Sequence, residues 1–186
     1  MNKAGLDMAT VVRCCFLLLG LVFCSALFAD EFSGLQGEFF AAERAIHVDN
    51  DPDAYGQIVA DLRELHEAGD PEATLYLGLA LLITQAPGYE PDEGVSLVRQ
   101  SAEAGFPRAQ VQLALLYEYG DRQHDFPQDD EQALIWWKRA AENGDRIAIG
   151  RLEAVYTEGH LGVEPDASRA AYWRSRIDCD ESGSQR

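Results

Sequence analysis

Basic residues are scarce in this chain: 15 Lys and Arg stand against 32 Asp and Glu, a formal net charge of −17. A surface that acidic repels phosphate backbones and anionic bilayers, which argues against DNA, RNA and acidic membranes as partners. Cysteine is scarce as well. Of the four cysteines, Cys14, Cys15 and Cys24 lie in the first 24 residues, leaving Cys179 alone in the rest of the chain. One thiol closes no internal disulfide, so the fold must be held by packing. Cys179 is then an idle thiol or a point for an intermolecular bridge. Phosphate-cradling glycine loops and nucleophile turns are missing, and no zinc or calcium ligand spacing is met.

The only long apolar run is Cys14 to Phe28, preceded by Lys3 and Arg13 and ending in Ala26-Leu27-Phe28-Ala29 before Asp30-Glu31. It is shorter than the roughly 20 residues of a comfortable bilayer span, and small residues at its end suit signal peptidase. Residues 1–29 therefore read as a signal peptide cleaved after Ala29, with Ala26 as second choice and an uncleaved anchor as the rival. Cys24 follows Leu21-Val22-Phe23 where a lipobox would stand, but Phe23 is too large for that role. The expectation is an exported protein, periplasmic or secreted, with no membrane span after cleavage.

The remainder repeats itself. Gly69, Gly105 and Gly144 recur 36 and then 39 residues apart. Each is followed by apolar positions at helical spacing: Ala73, Leu77 and Gly78; Ala109, Leu113, Tyr117 and Gly120; Ala148, Leu152, Tyr156 and Gly159. A second helix follows each of these, carrying Gly94 and Leu97, then Ala133, Trp136, Ala140 and Ala141, then Ala170, Trp173 and Ile177. The glycines sit where a left-handed residue ends a helix. Asp70 before Pro71 makes an N-cap, and Asp129 with Gln132 resembles a capping box. Upstream, Gly37–Val48 and Asp53–Ala68 read as one more helix pair, broken by Asn50-Asp51-Pro52-Asp53, that caps the array. The expected organisation is a capping pair over 30–68, repeats over 69–104, 105–143 and 144–177, and a loose polar tail over 178–186.

The pattern Ala109-x3-Leu113-Ala114-x2-Tyr117-x2-Gly120, then Ala133-x2-Trp136-x3-Ala140-Ala141-x2-Gly144, resembles the Sel-1-like repeat, a relative of the tetratricopeptide repeat. The last unit shares Ala148, Leu152, Tyr156, Gly159, Gly162-Val163, Asp166, Ala170 and Trp173 but lacks the closing Ala-Ala-x2-Gly. The first keeps Ala73, Leu77-Gly78, Ala102 and Gly105, with Leu81 for the tyrosine and Thr84 for the glycine. The resemblance implies an all-α, right-handed α-solenoid of about four helix-turn-helix pairs. It also implies that the small residues are packing positions and that function lies on a concave face lined by the first helix of each pair. Some exported relatives carry a disulfide in every repeat; this chain lacks those cysteines.

On that face the first helices place Leu75, Leu79 and Leu82; Val111, Leu115 and Glu118; and Gly150, Ala154 and Thr157. Leu75–Ile83 is apolar throughout except for the Tyr76 hydroxyl, so its helix is buried on both sides or exposes an apolar strip. Either the N-terminal helix, with Phe39 and Phe40, lies across that strip, or a partner peptide docks there. Tyr117, Tyr156, Trp136 and Trp173 read as core aromatics.

Catalytic and metal readings find little support. His160 and Glu164 are four apart, but Gly162 and Pro165 put them in a loop. His124-Asp125 with Asp129-Asp130 could attract a cation, yet nothing fixes a coordination number, and His47 and His66 have no ligand spacing. The expectation is a non-enzymatic scaffold without cofactor or metal, binding a protein or peptide in the bacterial envelope. The alternatives are an envelope hydrolase using loop carboxylates or a histidine, and a cation-dependent binding protein.

Overall fold

The computed structural model describes residues 34–83, 86–122, 124 and 126–183, the last six of these without their side chains. The proposed leader with Cys14, Cys15 and Cys24, the Thr84 position and the Cys179 side chain lie outside the described residues. Eight α-helices and no strand occur among them: α1 Leu35–Arg44, α2 Pro52–Glu67, α3 Pro71–Leu81, α4 Pro91–Glu103, α5 Pro107–Tyr119, α6 Asp130–Glu142, α7 Arg146–Glu158 and α8 Ala167–Gly183. The chain divides into two compact units after Gly94, within α4.

In the first unit, α1 runs on into a π-turn, Ala45–Asp49, that the sequence pattern does not reveal. Asn50 then turns left-handed (φ 51°), and the Asp51 side chain caps α2 by accepting from the Ala54 amide at 3.0 Å. The break therefore falls where the Asn-Asp-Pro-Asp run calls for it. α3 packs against both α1 and α2. Nearly all of its residues are buried, from Ala73 through Gly78 and again at Ala80 and Leu81, leaving Leu79 half-buried. Phe39 of α1 stacks on Tyr76 with ring centroids 5.7 Å apart. Of the two readings of the apolar strip, burial on both sides holds, and the chain's own N-terminal helix lies against it. Gly94 shows why small residues are needed at helix crossings. A Cβ there would stand 2.8 Å from the Gly78 carbonyl oxygen and 2.9 Å from Leu82 Cγ.

The second unit holds two helix pairs of the same design, α5 with α6 and α7 with α8, and α6 packs on α7. Its core is the small-and-large alternation of the repeat: Ala109, Leu113, Ala133, Ala140, Ala141, Ala148 and Leu152 are all closed to solvent, and Trp136 and Trp173 are nearly so. Three helix ends share one geometry. Gly69, Gly105 and Gly144 have φ of 89°, 94° and 85°. The next amide in each case reaches back five residues: Asp70 to Leu65, Phe106 to Ser101 and Asp145 to Ala140, at 3.0–3.2 Å. A side chain would strain this left-handed position, which glycine adopts freely. Asp70, Asp129 and Asp145 then accept N-terminal amides of the following helices.

A second recurring bond spans the loop within each pair. The Glu90 amide donates to the Leu81 carbonyl (3.1 Å), Asp129 to Tyr117 (2.8 Å) and Asp166 to Tyr156 (2.7 Å). This clasp fixes the equivalence of residues between repeats: Tyr117 with Tyr156, Asp129 with Asp166, and hence Trp137 with Arg174. The C-terminus departs from expectation. The tail assigned to 178–186 is helical as far as Gly183, because α8 meets neither Gly nor Pro after Ala167 until that point.

Candidate functional site

The residues offered for the concave face fall into three groups. Leu75, Val111 and Glu118 are buried. Leu79, Leu82, Leu115, Gly150 and Ala154 are half-buried, and Thr157 is exposed. In the second unit the partly open first-helix positions are therefore Leu115 on α5 and Gly150, Ala154 and Thr157 on α7.

Glu118 is removed from any open face by what holds it. It is the single acidic residue of α5 and the only charged one between Arg108 and Asp121. The Trp137 indole Nε1, from α6, donates to its Oε2 at 2.7 Å. From α7, Arg151 donates Nε to Oε2 at 3.3 Å and Nη2 to Oε1. The carboxylate side chain is 5% exposed and the guanidinium side chain 25%. Three consecutive helices thus meet on one buried anion, whose charge is neutralised by a bidentate arginine. Burial works against the Arg151 charge, but the hydrogen bond and charge of Glu118 outweigh it and push its pKa up. Beside the pair, Tyr119 is raised by its own desolvation and then by the negative Glu118.

Sequence reasoning singled out Trp136 and overlooked Trp137. Trp136 is buried, its indole nitrogen has no hydrogen-bond partner, and Arg139 stacks over its ring at 4.5 Å. Trp137 is the more deeply buried, 1% exposed and hydrogen-bonded across the repeat. The available signal was the lone carboxylate of α5, since a buried acid demands a donor. Tyr117 is half-buried; it accepts from Arg99 Nη1 at 2.8 Å and meets Phe126 edge-on at 4.9 Å.

The titratable groups considered for chemistry are spread out. His124 pairs with Asp121, and His160 with Glu158 at 3.4 Å. His66 shares a hydrogen bond with Thr74 at 2.8 Å. Among the described residues no group of three or more His, Cys, Asp or Glu side chains is placed to hold a metal ion. No described helix is long and apolar enough to cross a membrane.

Residues 107–145 and 148–173 match the Sel1 repeat family. A Sel1 repeat protein from Oxalobacter formigenes superposes with a TM-score of 0.58 at 30% identity, covering 66% of this chain and 89% of its own. A protective antigen of uropathogenic Escherichia coli with an SLR fold superposes with a TM-score of 0.59 at 25% identity, over 78% of this chain and 30% of its own. The chitin synthase regulator SKT5 of Saccharomyces cerevisiae is 34% identical over 88 residues, 46% of this chain. This chain spans only 12% of that regulator's length.

Proposed function

The chain belongs to the Sel1 repeat family, whose members are protein-interaction scaffolds, and from that premise we propose that it holds a partner protein on the first helices of its repeats. One observation carries the reading. The stripes Ala109–Leu113 and Ala148–Leu152 are closed, yet the repeat-equivalent positions Leu115 and Ala154 stay partly open on helices pinned together through Glu118 and Arg151. A rigid face with partly uncovered apolar side chains suits docking of an extended or helical segment. No assembled acid–base or metal constellation among the described residues supports a hydrolase. The curated yeast relative is named as a regulator of an enzyme, which is in keeping with a binding role. The short apolar run ending in Ala-Leu-Phe-Ala supports export, and we place the scaffold in the bacterial envelope.

The test is capture of a partner from the native envelope fraction by wild type and by a Leu115→Glu, Ala154→Glu double variant that circular dichroism shows to be folded. A partner held by wild type and lost by the variant is the expected result. A partner held equally by both would end the first-helix reading.

A further inference from the structure

The equivalence of repeats makes the end of the second unit informative. In repeat two the site inside the helix pair is filled by Trp137, closed to solvent, with its indole N–H on Glu118. The loop clasps set the corresponding residues of repeat three: Arg174 for Trp137, Thr157 for Glu118 and Ala171 for Leu134. All three changes vacate the same place. Arg174 turns outward, its Nε donating to Glu153 at 2.7 Å, and is exposed. The Thr157 hydroxyl donates back to its own helix at the Glu153 carbonyl, 2.8 Å away. Ala171 is short. What remains is a recess of about 370 Å³ walled by Tyr156, Thr157, Pro165, Ala170, Ala171 and Arg174.

We propose that this recess receives a tryptophan side chain from a protein partner, in the place that Trp137 fills within the preceding repeat; the idea rests on the scaffold reading above and names the chemistry of its partner. The frame around the recess is that of repeat two: Tyr156 stands for Tyr117, Ala170 for Ala133, and the Asp166 clasp for that of Asp129. Its volume lies within the range of ligand pockets. The exposed Thr157 hydroxyl offers its oxygen to an indole N–H where Glu118 offers a carboxylate. The Arg174 stem and guanidinium supply one wall for stacking and cation–π attraction. Tryptophan is also among the residues enriched at the energetic hot spots of protein interfaces.

Titration of the ¹⁵N-labelled full-length protein with N-acetyltryptophanamide tests this. Saturable amide shifts are expected at Thr157, Ala170 and Ala171, in the roughly millimolar range suited to so small a ligand. N-acetylleucinamide should need several-fold higher concentration. Thr157→Glu restores the acceptor of repeat two and should tighten the tryptophan probe about fivefold to tenfold, the factor by which a hydrogen bond to a charged acceptor exceeds one to a neutral hydroxyl. That gain should vanish with the 1-methylindole analogue, which lacks the N–H. Ala171→Trp, which fills the recess from its own wall, should weaken binding. Absence of localised shifts, equal response to the leucine probe, or the same shifts on concentrating the protein alone, which would mean a second copy occupies the recess, would each overturn the proposal. A recess indifferent to tryptophan in a protein whose partner capture still depends on Leu115 and Ala154 overturns this inference and leaves the scaffold reading standing.

Discussion

The indole of Trp137 donates its hydrogen bond to the carboxylate of Glu118, and the same carboxylate holds Arg151 of the next helix. Helices from two repeats are therefore keyed to one anion. Its removal leaves both an indole N–H and a partly buried guanidinium without their acceptor. Glu118→Ala should cost about 3–5 kcal/mol, and Trp137→Phe, which keeps the acid paired, about 1–3 kcal/mol. Urea unfolding of the two variants should rank them in that order.

Two glycines in helices should respond in opposite senses. Gly94→Ala drives a methyl group into the Gly78 backbone and should destabilise the protein by about 1–3 kcal/mol. Gly56→Ala meets nothing within 4 Å on the exposed face of α2 and should stabilise it by about 0.4–1 kcal/mol. Thermal melts of the pair would check both signs in one experiment.

The aspartate caps should be worth similar amounts in the first and third repeats. Asp70 and Asp145 each accept amides at the start of a first helix. Asp145→Ala and Asp70→Ala should each lose about 1 kcal/mol, and replacement by Ser or Asn should recover most of it. Denaturation midpoints at constant m-value would measure this.

Tyr55 should report alkaline unfolding. Its hydroxyl donates to the Ala80 carbonyl at 3.0 Å, and burial pushes its pKa from 10.0 up to about 12. Between those values the unfolded chain gives up the phenolic proton while the folded chain keeps it. Stability is thus intact below pH 10 and falls as pH rises, by roughly 1.4 kcal/mol per pH unit from this group alone. Tyr55→Phe should lose stability at neutral pH through the stranded carbonyl, yet show a shallower decline above pH 10 in pH-dependent melts.

Local chemistry was legible in the sequence; contacts across helices were not. Gly69, Gly105 and Gly144, the Asp caps and the 3.6-residue stripes depend on neighbours within a few positions, and each stands where its residue type dictates. Trp137 to Glu118 spans 19 residues and Arg151 to Glu118 spans 33, separations that no local period encodes. The same distance effect hid the burial of Val111, which shares the spacing of half-open Leu115. The π-turn at Ala45–Asp49 continues α1 and packs against α2, and no residue there announces it.

The backbone clasps at Leu81–Glu90, Tyr117–Asp129 and Tyr156–Asp166 also decide where this chain tolerates change in length. Each closes a loop with main-chain atoms alone, independent of which side chains the loop carries and how many residues it holds. The intervals of 9, 12 and 10 residues already differ, with the clasp kept in every one. Doubling such a loop would add only about 0.6 kcal/mol of closure entropy. The turns between paired helices are therefore the places where a tag, a glycan or a whole inserted domain can be carried while the helices on either side keep their register.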